Sequence, residues 1–109
     1  MNYTMEEAAK AVGVERINLV MWVRRGIIPE PDKSHRPMVY SEEQVRQIEI
    51  FVRLSRVGME RGLAGWVAEK LANEKVGKYL VDGEDGYYKR IEKLEDLEYL
   101  EGTGIFIQI

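Results

Sequence analysis

The chain reads as an α+β protein, a helical N-terminal unit followed by a small C-terminal β-β-α-β appendage. Three observations lead there. From residue 3 to residue 57, apolar side chains recur at three- and four-residue spacing, in blocks that open on a hydroxyl residue or a glycine turn. Beyond Gly77 the pattern changes to short apolar runs separated by glycine, with two Asp-Gly steps among them. The third is size and composition: 109 residues, 45% apolar and 32% charged, suit one modest core with at most a small addition.

The first helix opens at Thr4, which pairs with Glu7 as a capping box: hydroxyl to a first-turn N–H, carboxylate back to the cap. Met5, Ala8, Ala9 and Val12 then share one face. The two alanines are small, so another helix can come close. Gly13 ends the helix in the left-handed conformation. The second helix runs from about Glu15 to Arg25 and turns Leu19, Trp22 and Val23 inward. Its other face carries Arg16, Ile17, Asn18, Met21 and Arg25. Trp22 reads as a core residue, because its spacing matches that of Leu19.

Gly26 stops the second helix, and Ile27 and Ile28 should hold the chain on the core. A loop stiffened by Pro29, Pro31 and Pro37 follows, with Lys33, His35 and Arg36 at its tip. Met38-Val39-Tyr40 can form the return strand of a wing. Ser41 caps a third helix, with Glu43 and Gln44 in its first turn. Val45, Ile48, Phe51 or Val52, and Leu54 continue its apolar face through Val57. Two helices about a glycine turn, then a basic loop and a third helix, make the layout of a winged helix-turn-helix.

Met59 to Gly62 reads as a break, and Leu63 to Asn73 as a fourth helix with Trp66, Val67 or Lys70, and Leu71 on one side. Two strands, Lys78–Asp82 and Tyr87–Ile91, are joined by Gly83-Glu84-Asp85-Gly86. A short helix over Glu92–Glu101 would turn Leu94, Leu97 and Leu100 inward. A turn at Gly102-Thr103-Gly104 then leads into a last strand, Ile105–Ile109. The division expected is a DNA-binding unit over residues 1–74 and an appendage over 75–109. A three-stranded sheet is marginal alone, so it should pack on the helices or on its copy in a second chain. Its edge strands invite pairing, which suits dimerisation or a protein partner.

Composition removes several functions. There are no cysteines, so disulfides, thiolate metal sites and thiol redox sensing drop out. A single histidine cannot build a histidine metal cluster, and the acidic hairpin tip lacks the spacing of a calcium loop. No cofactor, metal or catalytic residue is expected, and the chain is not read as an enzyme. No apolar run approaches the roughly 18 residues of a membrane span, so no membrane partner is expected and a cytoplasmic location is. Tyr79, Tyr87 and Tyr88 could wall a pocket or simply pack across strands.

The net charge is −3, but residues 16–40 carry five basic against two acidic side chains. Positive charge therefore gathers where the second helix and the wing lie. The acidic C-terminal half would repel phosphates. If the second helix enters a major groove, Arg16 can pair with guanine or a phosphate, Asn18 with adenine, and Met21 can offer an apolar contact, with Ile17 on the same DNA-facing side. Arg25 and the wing residues Lys33, His35, Arg36 and Tyr40 complete the set expected to touch double-stranded DNA.

The spaced pattern Tyr3-Thr4, Glu7-Ala8-Ala9, Gly13-Val14, Leu19, Trp22, Gly26-Ile27-Ile28-Pro29, Val39-Tyr40-Ser41-Glu42-Glu43-Gln44-Val45, Gly58-Met59 resembles the DNA-binding domain of MerR-type regulators, over residues 3–59. The resemblance implies a winged-helix fold, binding as a homodimer to an inverted repeat, and repression or promoter distortion. Two departures stand out. The family's Arg-Tyr pair after the second-helix leucine is Val20-Met21 here, and nothing downstream resembles its long dimerisation helix. The run Trp22-Val23-Arg24-Arg25-Gly26 is closer to the excisionase-like relatives of the same fold. A MerR-like transcriptional regulator is thus the leading expectation. The alternatives are an excisionase-like or terminase-small-subunit-like architectural DNA-binding factor, or a protein-interaction adaptor that has lost DNA binding.

Overall fold

A computed structural model describes residues 2–93 and 104–109. The chain order is β1 (Asn2–Thr4), α1 (Met5–Val12), α2 (Arg16–Arg24), β2 (Val39–Ser41), α3 (Glu42–Arg56), α4 (Arg61–Leu71), β3 (Lys78–Asp82), β4 (Tyr88–Arg90) and β5 (Gly104–Gln108). The architecture is α+β, with a helical helix-turn-helix unit first and a strand-rich C-terminal part. Among the described residues no helix is long and apolar enough to cross a membrane.

Both expected helix caps form. Thr4 Oγ accepts from Glu7 N at 3.2 Å, while Glu7 returns a carboxylate oxygen to Thr4 N at 2.9 Å. Ser41 and Gln44 repeat the exchange at the start of α3, at 3.2 and 2.9 Å. The two capped junctions lie side by side because β1 pairs antiparallel with β2, Tyr3 opposite Tyr40. That small ribbon is not evident in the sequence. It ties the N-terminus to the far end of the loop that follows α2.

Gly13 takes φ 76°, and its N–H closes α1 on Ala9 and Lys10. Arg56 at the end of α3 donates to the Gly13 carbonyl at 2.9 Å, pinning the α1–α2 turn. Leu19 is fully buried, and Trp22 meets Phe51 edge-on with ring centroids 4.9 Å apart. Burial of a side chain the size of Leu19 contributes about 1.5–3 kcal/mol. Both Phe51 and Val52 are buried on α3, but Val57, past its last turn, is 62% exposed and ends the apolar face early.

Two details of α4 differ from the sequence reading. Arg61 and Gly62 belong to its first turn, which Glu60 caps by accepting from Gly62 N and Leu63 N at 2.8 and 2.9 Å. Trp66 lies outside, 44% exposed under Lys70 Nζ at 3.9 Å. The buried face is made instead of Ala64, Gly65, Val67, Ala68 and Leu71. Small residues there let α4 sit close to its neighbours, which rotates the indole outward.

The C-terminal sheet has the order β4-β3-β5, antiparallel throughout. Tyr79, Val81 and Ile107 are buried on one face. Gly86 in the β3–β4 turn abuts Leu63 and Val67 of α4, and Arg53 of α3 donates to the Gln108 carbonyl at 2.6 Å. The sheet therefore packs on the helices. Tyr79 and Tyr88 pack edge-on at 6.0 Å, and Tyr87 is 75% exposed. The helix expected over Glu92–Glu101 and the turn at 102–104 fall outside the described residues, apart from Glu92, Lys93 and Gly104.

Candidate nucleic-acid interface

An α-helix turns about 100° per residue, so one stripe of α2 must face away from Leu19. That stripe is Ile17, Met21 and Arg24, all exposed. Leu19 and Trp22 anchor the opposite side, and the Gly13 turn with Arg56 sets the angle at which α2 leaves α1. Among the described residues no element covers the stripe.

Arg16 and Asn18 flank it on opposite sides. Arg16 lines a groove of about 310 Å³ with Thr4, Met5, Glu6, Pro37 and Met38. The start of α2 and the far arm of the loop thus share one concave surface. A second hollow, about 410 Å³, is lined by Lys33, His35, Arg36 and the same Pro37 and Met38. Asn18 is half-buried and lines a separate cleft of about 580 Å³, among whose walls are Glu15, Trp22, Arg56 and Arg61. Arg16 thus borders one hollow and Lys33, His35 and Arg36 another, the two sharing Pro37 and Met38, and Asn18 lines neither.

The loop holds its shape by local bonds. Asp32 and Val39 exchange backbone hydrogen bonds at 2.7 and 3.2 Å, and Asp32 Oδ1 accepts from Ser34 N and Oγ at 2.8 and 2.7 Å. Those bonds from Ser34 hold the Asp32 carboxyl below its usual range. Gln44 Nε2 ties the loop to α3 through the Glu30 carbonyl. Lys33 lies 3.4 Å from Glu30, and His35 3.8 Å from Asp32. Both pairs are exposed, so each is weak and open to exchange. Arg36 has no such carboxylate among the described residues.

Tyr40 is a correction. It was expected to touch DNA, yet it is wholly buried and its hydroxyl donates to the Pro29 carbonyl at 3.0 Å. Burial, with the Glu30 charge second, pushes the hydroxyl up to about 12. Its role is to fix the root of the loop. Arg25 is exposed but sits at the C-cap, past the last turn of α2. The residue missed by the sequence reading is Arg24, which continues the Ile17–Met21 stripe at the next helical step. The spacing alone could have found it.

No cluster of three or more histidine, cysteine or acidic side chains suited to a metal exists among the described residues. What the arrangement offers is an exposed helix face, a cationic loop beside its N-terminus, and an acidic remainder: a helix-turn-helix DNA-binding protein of regulatory type. The chain belongs to the MerR family. A family model described as MerR HTH family regulatory protein matches residues 3–62, more than half of its length. No curated protein matches the chain.

Proposed function

We propose that the protein is a sequence-specific transcriptional regulator that lays α2 in the major groove and the loop 29–38, as a wing, on the flanking backbone. The observation that carries this reading is the exposed Ile17–Met21–Arg24 stripe, with Arg16 beside it on a groove whose other wall is the Pro37–Met38 arm of the cationic loop. Ile17 and Met21 suit thymine methyl groups, while Arg16 and Arg24 suit guanine edges or phosphates. Arg36 and Lys33 supply phosphate contact, the latter by releasing Glu30. Two copies on an inverted repeat would double the short interface that nine residues of α2 can offer. Residues 1–74 carry DNA contact in this scheme, and residues 75–109 carry contact between copies or with another protein. No catalytic step is assigned.

The test is selection of bound sites from random duplexes, followed by anisotropy titration of the winner across a salt series. A preferred site should emerge. Arg16→Ala should weaken it by about 1–3 kcal/mol if it reads a base edge, and Arg36→Ala should weaken all duplexes alike and lower the salt slope by about one. Recovery of no preferred site at low salt sinks the reading. A second reading, a protein-binding adaptor, draws on the exposed apolar trio Ile17, Met21 and Met38. Absence of any duplex binding at low salt would favour it.

A further inference from the structure

We infer that the outer edge of β5 pairs with the same edge of a second copy, about a two-fold axis at Phe106, to make a continuous six-stranded sheet. The hydrogen-bond phase sets the geometry. Gly77 and Ile109 exchange both backbone bonds, at 3.1 and 2.9 Å, and the register then alternates along β5. Ile105, Ile107 and Ile109 direct their backbone groups to β3. Gly104, Phe106 and Gln108 direct theirs away from it, where no strand pairs with them among the described residues.

The two edges of the sheet are built differently. β4 is three residues long and carries Lys89 and Arg90, the kind of short, cationic edge that resists strand addition. β5 is five residues long and reads Gly-Ile-Phe-Ile-Gln, without charge, proline or bulge. The β5 strand itself carries no charge, and among the described residues Arg53 of α3 reaches its outer edge at the Gln108 carbonyl.

An axis at Phe106 gives the longest overlap the strand allows. Phe106 exchanges N–H···O bonds with its counterpart, and each Gln108 N–H reaches the Gly104 carbonyl of the other copy. Arg53 already donates to the Gln108 carbonyl, so the pairing does not depend on that acceptor. Phe106 is 55% exposed beside Leu80 on the face away from the core, and its ring would meet its own copy across the axis. On the inner face Ile105 would oppose the Ile107 of the second copy, extending the apolar layer. A self-complementary patch of this kind closes at two copies. The inference rests on the dimeric reading above and gives it a contact.

The protein has no cysteine, so a single introduced thiol reports one contact. Sedimentation equilibrium without DNA should give twice the chain mass through the micromolar range. Phe106→Lys, at an exposed position, should halve that mass with an unchanged circular dichroism spectrum. Phe106→Cys should cross-link on oxidation, while Lys89→Cys on the other edge should not. A monomeric parent, a Phe106→Lys variant that stays dimeric, or equal cross-linking from both edges overturns the pairing. A monomer that still selects a DNA site defeats the strand pairing alone, and a dimer that selects none defeats the regulatory reading alone.

Discussion

Gly65→Ala should destabilise the protein although it places a better helix former in the middle of α4. By propensity alone, alanine in a helix interior is favoured over glycine by about 0.8–1.0 kcal/mol. The surroundings decide the other way. A Cβ at position 65 would lie 2.6 Å from the Ile27 carbonyl oxygen and 2.9 Å from Ile27 Cγ2. A side-chain methyl can turn aside, but the carbonyl belongs to backbone whose N–H is bonded to Trp22 O at 3.0 Å, in the turn that ends α2. Making room means moving α4 or the segment after α2. Overpacking of this kind costs about 1–3 kcal/mol. With the propensity gain subtracted, the net loss is on the order of 1 kcal/mol or somewhat more, a fall in melting temperature of roughly 4–8 °C or above for a chain this size. Calorimetry or urea unfolding followed at 222 nm measures it. Ile27→Ala in the same background should recover little, because it removes Cγ2 and leaves the carbonyl. An unchanged or raised melting temperature for Gly65→Ala would refute the close approach of α4 to Ile27.

Two other outcomes follow from the cap and core chemistry. The Tyr40 hydroxyl ionises near 10 in the unfolded chain and at about 12 when folded, so the unfolded state loses its proton first and stability should fall between those values by roughly 1.4 kcal/mol per pH unit. Tyr40→Phe should cost about 1 kcal/mol at neutral pH, through the lost bond to Pro29, and flatten that alkaline limb in urea titrations. The Glu60 carboxyl is held below its usual range by the Gly62 and Leu63 amides, so its cap stabilises above that range and fails as pH falls through the lowered value. Glu60→Ala should melt earlier than the parent at pH 7, and the difference should shrink in acid.

What could be read in the sequence is what depends on a few neighbouring residues. The Thr4–Glu7 box, the Ser41 cap, the left-handed Gly13 and the β3–β4 turn at Gly83–Gly86 each form within a short stretch, and each is found where expected. The Leu19–Trp22 spacing likewise fixes which side of α2 is buried. The failures are matters of tertiary geometry. The β1–β2 ribbon joins residues 2–4 to 39–41, and three-residue strands carry too little pattern to announce a distant partner. Tyr40 could point to solvent or core from an identical sequence, and only the Pro29 carbonyl waiting inside decides it. Trp66 misleads because periodicity weights large apolar groups, whereas α4 buries its small ones.

The substitution of Val20 and Met21 for a basic-aromatic pair has a consequence for how such a regulator would divide its binding energy. Phosphate contact carries a large share of affinity and sets its salt dependence, while base edges carry discrimination. Here the outward stripe of α2 is apolar at two of three positions, and the cations stand at its rim: Arg16, Arg24 and the loop. One loop cation, Lys33, already faces the Glu30 carboxylate, so its charge is partly spent inside the loop. A single copy would therefore bind weakly and with a shallow salt slope. Discrimination would lean on thymine methyl groups and on Arg16. Useful affinity would have to come from joining two such units, because linking them makes the second engagement intramolecular. In that arrangement the sheet edge matters as much to DNA binding as the helix that touches it.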